Sequence, residues 1–248
     1  LTSEADLTRL RRSGRLLAQA LHQTAAAVRP GVTTSELDAI AAKTILDGGG
    51  RPAFLGYQGY PAALCTSIND EVVHGIPSTT RVLKNGDIIG LDLGVIFEGI
   101  YTDHAVTVPV GRIKPDAKKL LQRTKESLVY ALEQIKPGAR VGDIGHAVET
   151  FLAPYKYGVV RQLTGHGVGR AVHEAPSIPN FGPAGTGAQL KQGMVLAIEP
   201  MVTLGDWPVR TMPDGWTMVT EDHSLAAHFE DTVLVTSDGF ELITTDGD

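Results

Sequence analysis

Four carboxylates in this chain sit in apolar, β-branched surroundings: Asp92, Asp103, Glu199 and Glu230. A fifth candidate, His166, stands between two glycines. A carboxylate flanked by Leu91 and Leu93 is costly to bury without a partner. Two such groups on neighbouring strands repel, so each tends to hold a proton, and a cation removes both costs. The stretch from Asp92 to Asp103 reads as two strands, with Ile88-Ile89 leading in, Val106 to Val108 following and a turn at Phe97-Glu98-Gly99. Taken alone, that hairpin fits a pair of solvated carboxylates slightly better than a metal site. Glu199 closes the apolar run Val195 to Ile198, and Pro200 behind it cannot donate a ladder hydrogen bond, so the strand should end or bulge there. Glu230 opens the run Phe229 to Val235, and Gly165 and Gly167 let backbone approach closely around His166. Four carboxylates with one imidazole form an oxygen-rich set whose charge two divalent cations would balance. Mn, Fe, Co and also Zn suit such donors, and two cations roughly 3.5–4 Å apart make a hydrolytic site.

Positioning these residues requires strands backed by helices. Residues 4–28 carry Leu7, Leu10, Leu17 and Leu21 at helical spacing, and Pro30-Gly31 ends that helix. Thr33-Thr34-Ser35-Glu36 reads as a capping box opening a second helix to about Leu46. Gly48-Gly49-Gly50 reads as a mobile turn, and an aromatic-rich loop with a strand covers 54–68. Pro115 starts a third helix to about Ile135, and residues 142–153 form a fourth. Gly193 to Leu204 reads as one strand, Asp206 to Gly215 as a long turn, and 216–220 and 229–236 as closing strands.

Two landmarks recur at one spacing. Pro30-Gly31 returns as Pro137-Gly138, and Lys84-x-Gly86 before Asp92 returns as Lys191-x-Gly193 before Glu199, both 107 residues on. A duplicated helix-helix-strand-strand unit follows: one α+β domain over 1–248, with halves of about 1–110 and 111–248. The expected architecture is a curved antiparallel sheet backed by helices, with the acidic strand ends meeting near a pseudo-twofold axis.

The net charge of −6 argues against a nucleic-acid surface built on bulk basicity. The single cysteine, Cys65, excludes an internal disulfide and a thiolate cluster, which fits a reducing compartment. No apolar run reaches membrane-span length, and no signal-peptide pattern opens the chain.

The residues together resemble the type I methionine aminopeptidases, metallopeptidases of the pita-bread fold. The resemblance runs through Asn69 to Pro77 with its His74-Gly75-Ile76-Pro77 ending, the Asp92/Asp103 ribbon and Gly165-His166-Gly167-Val168-Gly169. It continues through His173-Glu174-x-Pro176, Ile198-Glu199-Pro200, Asp214-Gly215-Trp216 and Phe229-Glu230. It implies that Asp92 chelates one metal, that Asp103 and Glu230 bridge two, and that His166 and Glu199 complete the second, with Co, Mn, Fe or Zn as the ions. It further implies that Glu199 assists proton transfer from water, that His173 stabilises the tetrahedral oxyanion and that His74 contacts the substrate amide and leaving group. By the same resemblance the substrate's first side chain enters a slot of Phe54, Tyr57, Tyr60, Cys65, Val172 and Trp216 with His74 and His173 at its edge, and a monovalent Na or K ion binds near the backbone of Asn69. Aromatic and sulfur-lined walls suit a flexible thioether. Cys65 reads as wall rather than nucleophile, since no Cys-His-Asn pattern surrounds it.

Three residues depart from the family pattern. His104 follows Asp103 where relatives carry a small residue, Asp231 follows Glu230 where many carry His, and His228 stands where Gln is common. Residues next to ligands face the other side of a strand, so His104 and Asp231 are expected to pair behind the metal floor. The implied function is excision of initiator methionine from nascent chains with a small second residue, by a cytoplasmic monomer that binds neither nucleic acid nor membrane, with transient ribosome association left open. Enzymes that cleave before proline or hydrolyse creatine share the fold but carry an extra N-terminal domain. A metal-free binding protein would lack several of the five donors. A type II enzyme would need a helical insertion for which the stretch from His173 to Glu199 leaves no room.

Overall fold

The computed structural model describes residue 1 and residues 3–245. Its long β-ribbon pairs Ile88–Phe97 with Ile100–Pro109 in one unbroken antiparallel register, from Ile88 opposite Pro109 to Phe97 opposite Ile100. The turn is two residues, Glu98 and Gly99, both at positive φ (47° and 79°), one shorter than the expected three. Two left-handed residues match the right-handed twist of the ribbon. Leu64–Ile68 pairs along the other side of Ile88–Phe97 and sets Cys65 opposite Asp92.

Two helices cover this sheet. α1 (Glu4–Ala26) starts where the Ser3 side chain accepts from the Asp6 amide, and α2 (Thr34–Asp47) starts in the Thr33/Glu36 capping box. Their apolar stripes, Leu17, Leu21, Leu37 and Ile45 among them, bury Ile89, Leu91, Leu93 and Val95. Core side chains of this size each contribute about 1.5–3 kcal/mol when fully buried. In the second half α3 (Pro115–Leu132) and α4 (Val141–Leu152) cover Leu196, Ile198, Val202 and Val233 in the same way. α3 stops short of Ile135 because the residue before Pro137 is disfavoured in helical conformation and the chain closes by turns instead. The 107-residue offset holds in space: α2 begins at Thr34 and α4 at Val141, and the strands begin at Ile88 and Val195.

The pita-bread architecture is present, with four hydrogen-bonded sheets rather than one uninterrupted sheet among the described residues. The expected strand from Gly193 to Leu204 is two, Val195–Ile198 and Met201–Thr203, with Glu199-Pro200 in the gap. Glu230 does not open its strand; it lies between Ala226–His228 and Asp231–Val235. The expected long turn from Asp206 contains a short strand, Val209–Thr211, paired with Met218–Thr220. The glycines at 48–50 are packed rather than free, since a Cβ at Gly48 or Gly50 would lie 2.2 or 2.7 Å from the Leu16 side chain.

The halves join along a stitched seam. Ala105 and Glu230 exchange backbone hydrogen bonds, with N···O distances of 3.4 and 2.9 Å. On one side the Thr232 hydroxyl donates to the Asp103 carbonyl at 2.7 Å and accepts from its amide at 2.9 Å. On the other side the Thr107 hydroxyl does the same for His228, at 2.9 Å for each bond. Side-chain hydroxyls therefore complete a ladder where the strands stand too far apart for backbone bonds, and no buried amide is left unpaired there. No helix among the described residues is long and apolar enough to cross a membrane.

Candidate metal centre

Asp92 and Asp103 belong to the unbroken ribbon. Asp103 lies opposite Gly94, two residues beyond Asp92, so both carboxylates project from one face as diagonal neighbours. The second half brings three more donors to that face across the seam. His166 lies on Gly165–Gly167, paired with Val195–Ile198. A Cβ on Gly165 would meet the Ala197 carbonyl at 2.5 Å, and one on Gly167 the Ala175 carbonyl at 2.3 Å, so only glycine fits on either side of the imidazole. His166 Nδ1 donates to the Gly167 carbonyl at 2.9 Å, which leaves Nε2 with its lone pair. Nε2 stands 3.3 Å from Glu199 Oε1 and 3.9 Å from Asp103 Oδ2. Asp103, His166 and Glu230 present donor atoms within 4.8 Å of one another. Glu199 sits in its strand gap with its carbonyl held by Asn180 Nδ2 at 3.1 Å.

The electrostatics favour a cation. Asp103 and Glu230 are 4% and 2% exposed. Burial raises Asp92 to about 7 and Glu199 to about 7. Asp103 and Glu230 are pushed well above the usual carboxylate range, by burial first and then by the neighbouring carboxylates. Burial keeps His166 and His228 below the ordinary imidazole value and therefore neutral at pH 7. Asp92 Oδ1 and Glu230 Oε1 are buried without a hydrogen-bond partner among the described residues, an arrangement that costs about 1–3 kcal/mol per group unless something else binds. Buried carboxylates that repel each other, orphaned oxygens and an imidazole with a free lone pair fit a divalent metal cofactor.

These five residues line a cavity of about 190 Å³ together with an aromatic wall. Phe54, Tyr57, Tyr60, Cys65 and Trp216 face it, as do His74 and His173. Val172 packs in the same cluster, beside Phe54, Tyr60 and Cys65, without lining the opening. Tyr60 is fixed by its hydroxyl, which donates to the carbonyls of Leu64 and Gly75 at 3.2 and 3.0 Å, and by the Trp216 ring at 5.1 Å. Burial holds the Cys65 thiol well above its ordinary value, so it is a neutral wall atom. His74 sits at φ 60°, an uncommon backbone state for a side chain of its size, and burial lowers it to about 4. His173 Nδ1 lies 2.9 Å from the Tyr57 hydroxyl, whose oxygen accepts from Gln58 Nε2 at 3.2 Å. When the Tyr57 hydroxyl donates to Nδ1, His173 carries its own proton on Nε2, the tautomer that points a donor away from Tyr57.

Behind the floor, His104 Nδ1 lies 3.3 Å from Asp231 Oδ1, and Asp231 also accepts from the Thr244 hydroxyl at 2.8 Å. Asn69 bridges Asp87 Oδ1 (2.9 Å) and the Ile88 amide (3.1 Å), and its carbonyl accepts from the Ala226 amide at 2.9 Å. Sequence reasoning missed Gln58, Val73, Leu163, Thr164, Met201 and His228 on the cavity wall. For two of them a signal existed: Met201 lies two residues after Glu199 and His228 two before Glu230, the spacing that puts strand side chains on one face.

Comparison with known proteins places the chain among hydrolases. The model of metallopeptidase family M24 matches residues 8–237. Over 239 residues the chain is 46% identical to methionine aminopeptidase 1 of Bacillus subtilis, with 96% of each chain covered. The crystal structure of methionine aminopeptidase from Rickettsia prowazekii superposes with a TM-score of 0.96 at 42% identity, covering 99% of both chains. That of the Thermotoga maritima methionine aminopeptidase does so with a TM-score of 0.96 at 42% identity, covering 98% of both.

Proposed function

Because the chain belongs to metallopeptidase family M24 and, within it, to the methionine aminopeptidases, we propose that it removes the initiator methionine from nascent polypeptides whose second residue is small. Asp92 would chelate one of two divalent ions, Asp103 and Glu230 would bridge both, and His166 and Glu199 would complete the second. Such ions, whether Co, Mn, Fe or Zn, supply Lewis acidity and lower the pKa of water towards neutrality.

The protein's own groups supply the rest. Glu199 would accept the proton of the attacking water and return it to the leaving amine. His173, its tautomer set by Tyr57, donates from Nε2 to the developing oxyanion. His74, neutral at pH 7, steadies the scissile amide. The methionine side chain enters between Tyr60, Trp216 and Cys65, where its polarisable sulfur meets aromatic edges. A cavity of about 190 Å³ has room for one long side chain.

The observation that carries this reading is the convergence of five metal-competent side chains from both halves onto the wall of a slot sized for one residue. A monomer is part of this proposal, and the single buried cysteine, which can form no internal disulfide, supports a cytoplasmic setting. A monovalent ion near Asn69 and a transient ribosome contact belong to the same proposal. The test is to strip the protein with chelator and reload it anaerobically with Co, Mn, Fe or Zn. Free methionine is then measured from Met-Ala-Ser, from Met-Lys-Ser and from a peptide with proline second. Metal-dependent release from Met-Ala-Ser, with Met-Lys-Ser spared, is expected. Equal turnover without metal, or cleavage only before proline, overturns the reading.

A further inference from the structure

His228 faces Glu199 as His166 does, although it stands outside the Asp103, His166 and Glu230 group. It ends the Ala226–His228 strand, two residues before Glu230, and is 3% exposed. Its Nε2 lies 3.6 Å from Glu199 Oε2 and 4.0 Å from Glu230 Oε2. His166 Nε2 lies 3.3 Å from Glu199 Oε1 and 3.9 Å from Asp103 Oδ2. Glu199 thus stands between two imidazoles, each aimed at one of its oxygens. Both spacings of His228 exceed a hydrogen bond, which ends near 3.2 Å for a nitrogen donor. The 3.6 Å spacing to Glu199 is close to the separation of atoms sharing a cation, since two donors about 2.1 Å from a metal lie roughly 3–3.5 Å apart, and the 4.0 Å spacing to Glu230 is longer. His228 Nε2 is also buried with no hydrogen-bond partner among the described residues, like Asp92 Oδ1 and Glu230 Oε1. Three orphaned atoms on one cavity wall, two carboxylate oxygens and one imidazole nitrogen, have one common remedy. The backbone holds the ring in place, because the Thr107 hydroxyl engages both the amide and the carbonyl of His228.

We infer that His228 is a nitrogen donor of the metal centre, facing His166 across Glu199, so that this centre holds two imidazoles with its four carboxylates. The inference rests on the dimetal reading of the cavity and adds to it. Its consequence is selectivity: carboxylate and water donors suit Mn, whereas each added imidazole favours Fe, Co and Zn.

The test counts imidazoles on cobalt by X-ray absorption, in the wild type loaded with two Co(II) and in His228→Gln and His166→Gln. Two imidazoles per cobalt pair are expected in the wild type and one in each variant. By calorimetry His228→Gln should bind Co(II) at least roughly tenfold more weakly, a loss within the ~10–100-fold range of outer contacts too, so the imidazole count decides, and its preference for Zn over Mn should fall by a similar factor. A single imidazole in the wild type overturns the inference, even if His228→Gln does not fold. Loss of one imidazole in His166→Gln but none in His228→Gln also overturns it while leaving the dimetal reading intact. Failure of the wild type to take up cobalt, with His166→Gln unchanged, sinks the dimetal reading itself.

Discussion

The two halves of the molecule hold their candidate metal donors in different ways. In the first half Asp92 and Asp103 sit inside a continuous ribbon of two ten-residue strands; Asp92 has a ladder on both sides, and Asp103 has one on one side and the Thr232 hydroxyl on the other. In the second half Glu199 and Glu230 sit in gaps between strands, and His166 on a three-residue strand. A ladder residue gets its orientation from the pleat. A gap residue gets it from neighbours that reach in, such as Asn180 to the Glu199 carbonyl and Ala105 to the Glu230 backbone. The first half is thus a continuous floor that carries two of the carboxylates, and the second is an interrupted counterpart that carries the rest. Interruption frees backbone and side chain to turn towards the seam, which an unbroken pleat does not allow.

The largest expected effect asks whether both halves are needed. Asp103→Ala and Glu230→Ala should each lower kcat for Met-Ala-Ser by more than roughly 100-fold, exceeding the ~10–100-fold typical of outer contacts to a metal, and each should lower the bound metal measured by elemental analysis. Full rate in Asp103→Ala would remove the floor from the site and leave the comparison without its first member.

The next effect is on stability. Asp92 and Glu199 are raised to about 7 in the folded protein, by burial first, whereas unfolded carboxylates titrate near pH 4. Between those values the folded chain holds more protons than the unfolded one, so stability falls as pH rises from about 4 to about 7. Buried imidazoles held below their ordinary value act in the opposite sense up to about pH 6.5, so the carboxylate contribution is read as a difference between chelated wild type and Glu199→Gln. Added Mn or Co should raise Tm more at pH 7.5, where it replaces no proton. From pH 5 to pH 7.5 chelated wild type should lose Tm relative to Glu199→Gln; a difference that stays constant over that window contradicts the burial argument.

Which parts of this were legible in the sequence follows from the same contrast. The ribbon was legible because long β-branched runs declare strands and Glu98-Gly99 declares a turn. The gap at Glu199 was legible because Pro200 cannot complete a ladder. The gap at Glu230 was not, since Phe229-Glu230-Asp231 carries neither proline nor glycine and reads as strand. Thr107 and Thr232 look like ordinary strand residues, and only the distance between the halves turns their hydroxyls into ladder rungs. Gly48-Gly49-Gly50 signalled a turn but not the Leu16 side chain that fills the space beside it. His228 was visible as a departure, yet its orientation depends on a seam formed by residues more than a hundred positions apart.

That seam can be weakened without touching a donor. Thr232→Val keeps the shape and removes the hydroxyl that serves both the amide and the carbonyl of Asp103. Leaving buried polar groups unpaired costs about 1–3 kcal/mol, and chemical denaturation should show a loss of about 2 kcal/mol. Thr107→Val, which strips the equivalent bonds from His228, should cost about as much. A much smaller loss in one of them would mean that the two ends of the seam do not share its load.

The smallest expected effect also crosses the halves. Tyr57 comes from the first half and His173 from the second, joined at 2.9 Å. Tyr57→Phe keeps the aromatic wall and removes only the group that fixes the imidazole tautomer. A single hydrogen bond of this kind contributes about 1 kcal/mol, so kcat/KM for Met-Ala-Ser should fall about five- to tenfold with metal content unchanged. Nitrogen NMR of His173 should show its proton confined to Nε2 in the wild type and shared between the two nitrogens in Tyr57→Phe. An unshared proton in the variant would mean that the second half orients His173 by itself, and the link between the floor and its interrupted counterpart would then run through the metal-binding face and the threonine seam alone.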